Sequence, residues 1–527
     1  LKNSIIFAKF GDTHFSVSRK SPRVFGNTIW LTKFPKDMEI LQLILVAFVF
    51  IAFAVLMFLR KLPALLALPI IAFLIPLIAG VAPFDIVQMV IGAGSTKLSE
   101  AYTIAIFGSM LSIMMQKTGV AERFIKMGAE LSGDKPWTIS LVMLLLITLL
   151  FSTLGGLGAI IMVSTVVLPI LTSVGVGAVT TVGIFLIGLS LGGILNVGNW
   201  AVYTTTLGLD SGEVRGFASI MFVIMFIISI AYITIQLYRD GHDINIKKIV
   251  FIALVIFALI SVVAWFYNGL DIQQKDHIHF LSLEVGYYLK LAITVFLIGL
   301  FGYSIYRIFN GSNEKGLFWG SFLIPIVPLV LIMVFNLNFI AGFVVGLIYG
   351  FLSTYKGNSL NILVRSILEG GGVVMPAVAL MMGIGMLLNA VMGPGAEALA
   401  QKYPNGWPVL NLLKPALVAI IPTNAMSYIL IFTIAAPLAL YRGPLNVWGM
   451  GYGFAAILLA SGMPPGAIMG ILMAVGQIQG ISDPTNTQNV WLANEMRVDV
   501  QKILWNTLPY TWAAALFGML AAAFYYM

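Results

Sequence analysis

Residues 480–489 read GISDPTNTQN. Eight of the nine positions from Ile481 to Asn489 are polar or helix-breaking, inside a half that is otherwise apolar. The stretch has a partner. Residues 188–199 read GLSLGGILNVGN, and setting Gly193 on Gly480 brings Ile194 onto Ile481, Asn196 onto Asp483 and Asn199 onto Asn486. Each half thus carries a G-I-x-(N/D)-x-x-N element, at an offset of 287 residues (483 − 196).

Two further pairings lie upstream in the same order. Setting Pro169 on Pro437 brings Gly156 onto Asn424 and Thr165 onto Thr433. Gly108, Met110 and Leu111 match Gly383, Gly385 and Met386. One weak match arises easily by chance, whereas three in order argue for an internal repeat.

The composition supplies the solvent in which that repeat must be read. The chain has 527 residues, 60% hydrophobic and 9% charged, with a mean hydropathy of +0.99. A soluble domain carries about 25% charge. Apolar runs at 40–59, 62–80, 139–151, 217–235, 249–266, 287–306, 321–335 and 511–527 approach or reach the length of about 20 residues that crosses a bilayer. They lack the alternation of barrel strands. The reading is an all-α polytopic membrane protein. Charge of +8 then belongs to topology signals and lipid headgroups rather than to nucleic acid. The absence of cysteine excludes thiolate chemistry, and four scattered histidines form no ligand pattern. No catalytic constellation stands out, so an enzyme is not expected.

Four segments follow: an N-terminal cytoplasmic or interfacial stretch at 1–39, a first repeat half at 40–237, a linker with spans of its own at 238–316, and a second half at 317–527. Within the linker, residues 268–284 read as a polar loop holding His277 and His279. Asp210, Ser211 and Glu213 read as a helix cap. Glu369, ahead of Gly370-Gly371-Gly372, reads as a turn, a hinge or a protonation site.

A helix that stops at bilayer depth leaves backbone groups unpaired, which lipid does not tolerate. Such breaks survive where they face protein or water, and paired breaks point to a transporter site. A cation (Na⁺ or H⁺) is expected at Gly155, Asn196 and Asn199, and at Thr423, Asp483 and Asn486. Asp483 leads, because a carboxylate in the membrane is functional by default. A small organic anion is expected at Gly156, Asn196, Asn199, Thr423, Asn424, Thr485 and Asn486. No arginine stands inside an apolar motif, so amides, hydroxyls and backbone N–H groups are expected to hold that anion. No cofactor beyond bound Na⁺ is expected.

The motifs Ile106-Phe107-Gly108-Ser109-Met110, Gly155 to Pro169, Pro422-Thr423-Asn424 and Ser482-Asp483-Pro484-Thr485-Asn486 resemble those of the ion transporter superfamily of secondary carriers. That group includes citrate, C4-dicarboxylate, gluconate and lactate permeases. The resemblance implies two inverted repeats with re-entrant hairpins and broken helices, an elevator-type cycle, a homodimer and a prokaryotic inner-membrane location. It implies cation-coupled symport of a di- or hydroxycarboxylate, with Na⁺/H⁺ antiport as the alternative. By likeness, Gly155 and Gly156 match the first hairpin tip, and Thr423 and Asn424 the second.

Overall fold

The computed structural model describes residues 36–59, 61–245, 247, 262, 269–310, 317–395, 402–418, 422 and 424–527. The expected span at 249–266, apart from residue 262, lies outside the described residues, as do Thr423 and residues 1–35. The first half holds α1 (Lys36–Phe58), α2 (Ala64–Ile78), α3 (Ser99–Lys117), α4 (Val120–Ser132), α5 (Pro136–Phe151), α6 (Leu157–Ser173), α7 (Ala178–Leu195), α8 (Val197–Leu207) and α9 (Ser211–Arg239). Then come α10 (Ile272–Asn310), α11 (Ile326–Met333), α12 (Phe339–Ser353) and α13 (Ser359–Met392). The rest is α14 (Pro408–Val418), α15 (Ala425–Ala435), α16 (Tyr452–Ala460), α17 (Pro465–Ser482), α18 (Thr487–Glu495) and α19 (Val500–Tyr526). Among the described residues there is no strand, and nine helical stretches are long and apolar enough to cross a membrane.

One expectation is corrected here. Residues 272–284 are not loop but the first turns of α10, a single helix of 39 residues. Gln273, Gln274 and Glu284 are good helix formers, and their polarity decides exposure rather than backbone conformation. Asp210 caps α9 as expected, accepting the Gly212 N–H at 2.7 Å.

The helices gather into two bundles. In the first, α13 packs on α2 and α3, and α12 packs on α3. Glycine sets how closely they approach. A Cβ on Gly370 would lie 2.6 Å from the Met110 Cα, and one on Gly385 would lie 2.3 Å from the Gly94 carbonyl oxygen. Lys117 pairs with Glu369 at 2.8 Å. Lys97, just ahead of α3, donates to Asn389 at 2.8 Å. The two lysines are 20 residues apart (117 − 97), as are Glu369 and Asn389 (389 − 369). At 1.5 Å per residue that is about 30 Å, the thickness of the hydrocarbon core. The two contacts are therefore about one hydrocarbon thickness apart, and Glu369, at one of them, lies inside the continuous helix α13 rather than at a turn.

The second bundle is built from α5, α7, α9, α15, α17 and α19. Here the repeat becomes geometry. Asp210 and Asp499 each cap the final helix of a half, taking the amide two residues on at 2.7 and 2.9 Å. These equivalent helices, α9 and α19, run antiparallel. Phe217 meets Tyr526, Tyr232 meets Tyr510 with ring centroids 5.0 Å apart, and Gln236 meets Asn506, so one number falls as the other rises. Equivalent membrane helices that pack antiparallel belong to inverted repeats. Near the axis relating them, equivalent residues touch: Ser190 Oγ donates to Gln477 Oε1 at 2.8 Å, again at an offset of 287. A Cβ on Gly480 would lie 3.9 Å from the Ser190 Cβ, inside the range that a disulfide spans. The chain has no cysteine of its own. The double substitution S190C/G480C is expected to cross-link quantitatively on mild oxidation, read as loss of maleimide labelling. Persistent labelling of both thiols in the oxidised protein would refute the crossing.

Candidate functional site

Both helix breaks have the same local construction. Asn196 follows α7 with φ −75° and ψ 114°, and Asp483 follows α17 with φ −71° and ψ 112°. Each side chain accepts the amide two residues on, Gly198 N–H and Thr485 N–H, both at 2.9 Å. Each carbonyl accepts the amide three residues on, that of Asn199 or Asn486. The side chains of those two asparagines then turn back onto the preceding helix, Asn199 to the Gly193 carbonyl at 2.8 Å and Asn486 to that of Gln479. Trp200 Nε1 takes the Ile194 carbonyl at 2.7 Å, and Asn489 Nδ2 takes those of Ile481 and Asp483, both at 2.9 Å. The sequence reading expected freed carbonyls at the breaks. The structure shows several of them already accepting from the motif's own amides and indole, which is how the break is accommodated away from bulk water.

Each break also holds a hairpin tip. The first hairpin, α5 to α6, turns at 152–156, with Gly156 at φ +86°, a left-handed value that a side chain disfavours. Asn196 Nδ2 donates to the Phe151 carbonyl at 3.2 Å, just ahead of that turn. The second hairpin turns elsewhere than expected. It descends through α15 and the short 3₁₀ segment Ala436–Arg442, reverses at 441–446, and returns through α16. Tyr441 and Arg442 are both left-handed, at φ +54° and +57°, without being glycine. Such residues cost about 1–2 kcal/mol each. Asp483 holds them in place. Its carboxylate accepts from Tyr441 N–H at 3.0 Å, Arg442 N–H at 3.5 Å and Asn446 Nδ2 at 3.3 Å. Thr485 adds its amide at 2.9 Å and its hydroxyl at 2.7 Å. Every partner is a donor, so the pocket is shaped for an acceptor-only group. The Asn/Asp difference between the repeats now has a cause. One tip presents a carbonyl and needs a donor, whereas the other presents amides and needs an acceptor.

Gly156 therefore corresponds to Gly443, at the same offset of 287, and not to Asn424. Asn424 is exposed and caps α15, accepting the Ser427 amide at 2.8 Å. It sits at the opposite end of α15 from the tip. Gly443-Pro444, a turn dipeptide, was the signal available in the sequence. The stronger-looking Pro422-Thr423-Asn424 drew the alignment away from it.

Tips and breaks enclose one cavity of about 650 Å³ between the two bundles. Gly155, Gly156, Asn196, Asn199 and Asn486 line it, with Gln477, Gln479 and Gln488 from the second half. Asp483 and Thr485 do not line it; they are 0% and 8% exposed and stand behind the second tip. From the first bundle come Ile104 to Ser109 of α3 and Val374 to Met381 of α13. Both stretches are halfway between the two lysine levels.

The sequence reading missed one lining residue of consequence. Arg442, at the second tip, lines the cavity, and its guanidinium has no hydrogen bond or ion pair with any described side chain. No arginine was expected at the site, because the turn at 441–446 that brings Arg442 there has no local sequence signature beyond Gly443-Pro444. Two helix N-termini add to its field. The first turns of α6, behind Gly156, and of α18, behind Asn486, have no side-chain cap, and both face the cavity. Unpaired N–H groups at a helix start favour an anion.

Fold and site together define a multi-pass helical membrane protein with inverted repeats, re-entrant hairpins and a cavity lined by both halves. No family model matches the chain, and no curated protein matches it in sequence. Among solved structures it is similar to the Alcanivorax borkumensis YdaH transporter, at a TM-score of 0.47 and 12% identity, over 84% of this chain and 88% of that one.

Proposed function

We propose that the protein is a secondary transporter that carries a small organic acid anion together with a cation. The observation that carries this reading is an arginine with no counter-ion among the described residues, at a cavity halfway along the spanning helices. Arg442 is half-buried; a guanidinium withdrawn from water is costly unless an anion joins it, and its planar fork matches a carboxylate. The uncapped starts of α6 and α18 point the same way. Gly156, Asn196, Asn199 and Asn486 supply further polar contacts to the anion. The coupling cation, Na⁺ or H⁺, is assigned to the first break at Gly155, Asn196 and Asn199, with Asn486 at the second. An elevator-type movement of the second bundle against the first, in a homodimer of the prokaryotic inner membrane, completes the proposal, in keeping with the superfamily resemblance. Na⁺/H⁺ antiport is less favoured. It needs a carboxylate that opens to the cavity, and Asp483 is enclosed by five donors.

Uptake of a labelled organic-acid panel into proteoliposomes, with Na⁺ and pH gradients imposed separately, tests the proposal. Accumulation that follows one of the two gradients and saturates is expected. Cation-driven proton movement without any organic acid would favour the antiporter instead.

A further inference from the structure

We propose that the transported acid is a monocarboxylate with an apolar body of aryl or branched-alkyl size, its carboxylate at Arg442 and its body against the first bundle. This rests on the reading of the cavity as the substrate site. Among the described lining residues Arg442 is the one charged side chain, and none is Asp, Glu, Lys or His. One guanidinium neutralises one carboxylate.

The walls divide by chemistry. Every described lining amide, from Asn196 to Gln488, lies at one of the two breaks, on α17 or at the second tip, and none on α2, α3, α12 or α13. The facing wall of α2, α3, α12 and α13 contributes Leu65, Ile104, Phe343, Leu380 and Met381, with Ser109 as its single hydroxyl. A second carboxylate turned to that wall would be stripped of water and meet no cation. An aromatic ring or a branched chain would instead bury apolar surface there. Size agrees. The cavity of about 650 Å³ falls within the range of roughly 300–1,000 Å³ typical of sites for drug-sized ligands, and a four-carbon diacid would leave most of it to water.

Three labelled acids offered to the same proteoliposomes test the inference: phenylacetate, succinate and citrate, each under a Na⁺ or a pH gradient. Phenylacetate is expected to accumulate, and about a hundredfold excess of succinate or citrate to leave its uptake within about twofold. Met381→Asn, which puts an amide on the apolar wall, is expected to lower phenylacetate uptake about tenfold, and Met381→Leu to preserve it. Monodisperse elution of both variants excludes misfolding as the cause. Accumulation of succinate or citrate without phenylacetate would overturn the monocarboxylate assignment and leave the proposed function standing. Accumulation of none of the three under either gradient would overturn both.

Discussion

Arg442→Gln is expected to raise the half-saturating concentration for the transported acid at least about 30-fold, with little change in yield or thermal stability. The size follows from the contact. A hydrogen bond to a charged partner is worth about 1.5–3 kcal/mol, and about 2 kcal/mol corresponds to about 30-fold in affinity. Stability is expected to hold because the guanidinium has no partner among the described side chains. The left-handed backbone at 442 remains strained with either side chain. Arg442→Lys should recover part of the affinity, since it keeps the charge and loses the planar fork. Saturation kinetics of uptake, beside a melting curve in detergent, separate the two effects. Unchanged saturation in Arg442→Gln would remove the anion site from the second tip.

The second large effect concerns the exchange of Asn196 and Asp483. Asp483→Asn places an NH₂ against donors from Arg442 and Asn446, or forces both to move. Asn196→Asp places a carboxylate oxygen against the Phe151 carbonyl, now 3.2 Å from a donating nitrogen. Each change leaves buried groups unsatisfied, at a cost of about 1–3 kcal/mol apiece. Each should lower the melting temperature, increase proteolysis at its own hairpin tip and depress transport. The double exchange N196D/D483N carries the same total charge as the parent protein. A pair of residues that served only by summed charge near a shared cation would be restored by it. Residues that each match their own tip would not, and the two defects should add, because the sites hold different hairpins. Recovery of transport in the double variant would rule out the tip-holding role assigned to them. Loss of Na⁺ or pH dependence in Asp483→Asn with the tip still intact by proteolysis would instead make coupling its main task.

The legible part of this protein is its local grammar. Glycine, asparagine, aspartate and proline clustered at 193–199 and 480–486 favour a helix stop, because together they free and cap backbone groups. Two such stops at a fixed offset, in a chain too apolar for water, therefore specified a helical membrane protein with repeated broken helices. What the stops hold was not written locally. The second hairpin turns on Tyr441 and Arg442, residues with no intrinsic preference for left-handed backbone, and it does so where Asp483, some 40 positions away, accepts their amides. Only the packed structure brings those amides to that carboxylate, moves Asn424 to the far end of its helix and makes Arg442 part of a cavity wall. Turn propensity is a property of neighbours in sequence. The field that overrides it at 441–446 comes from a different helix.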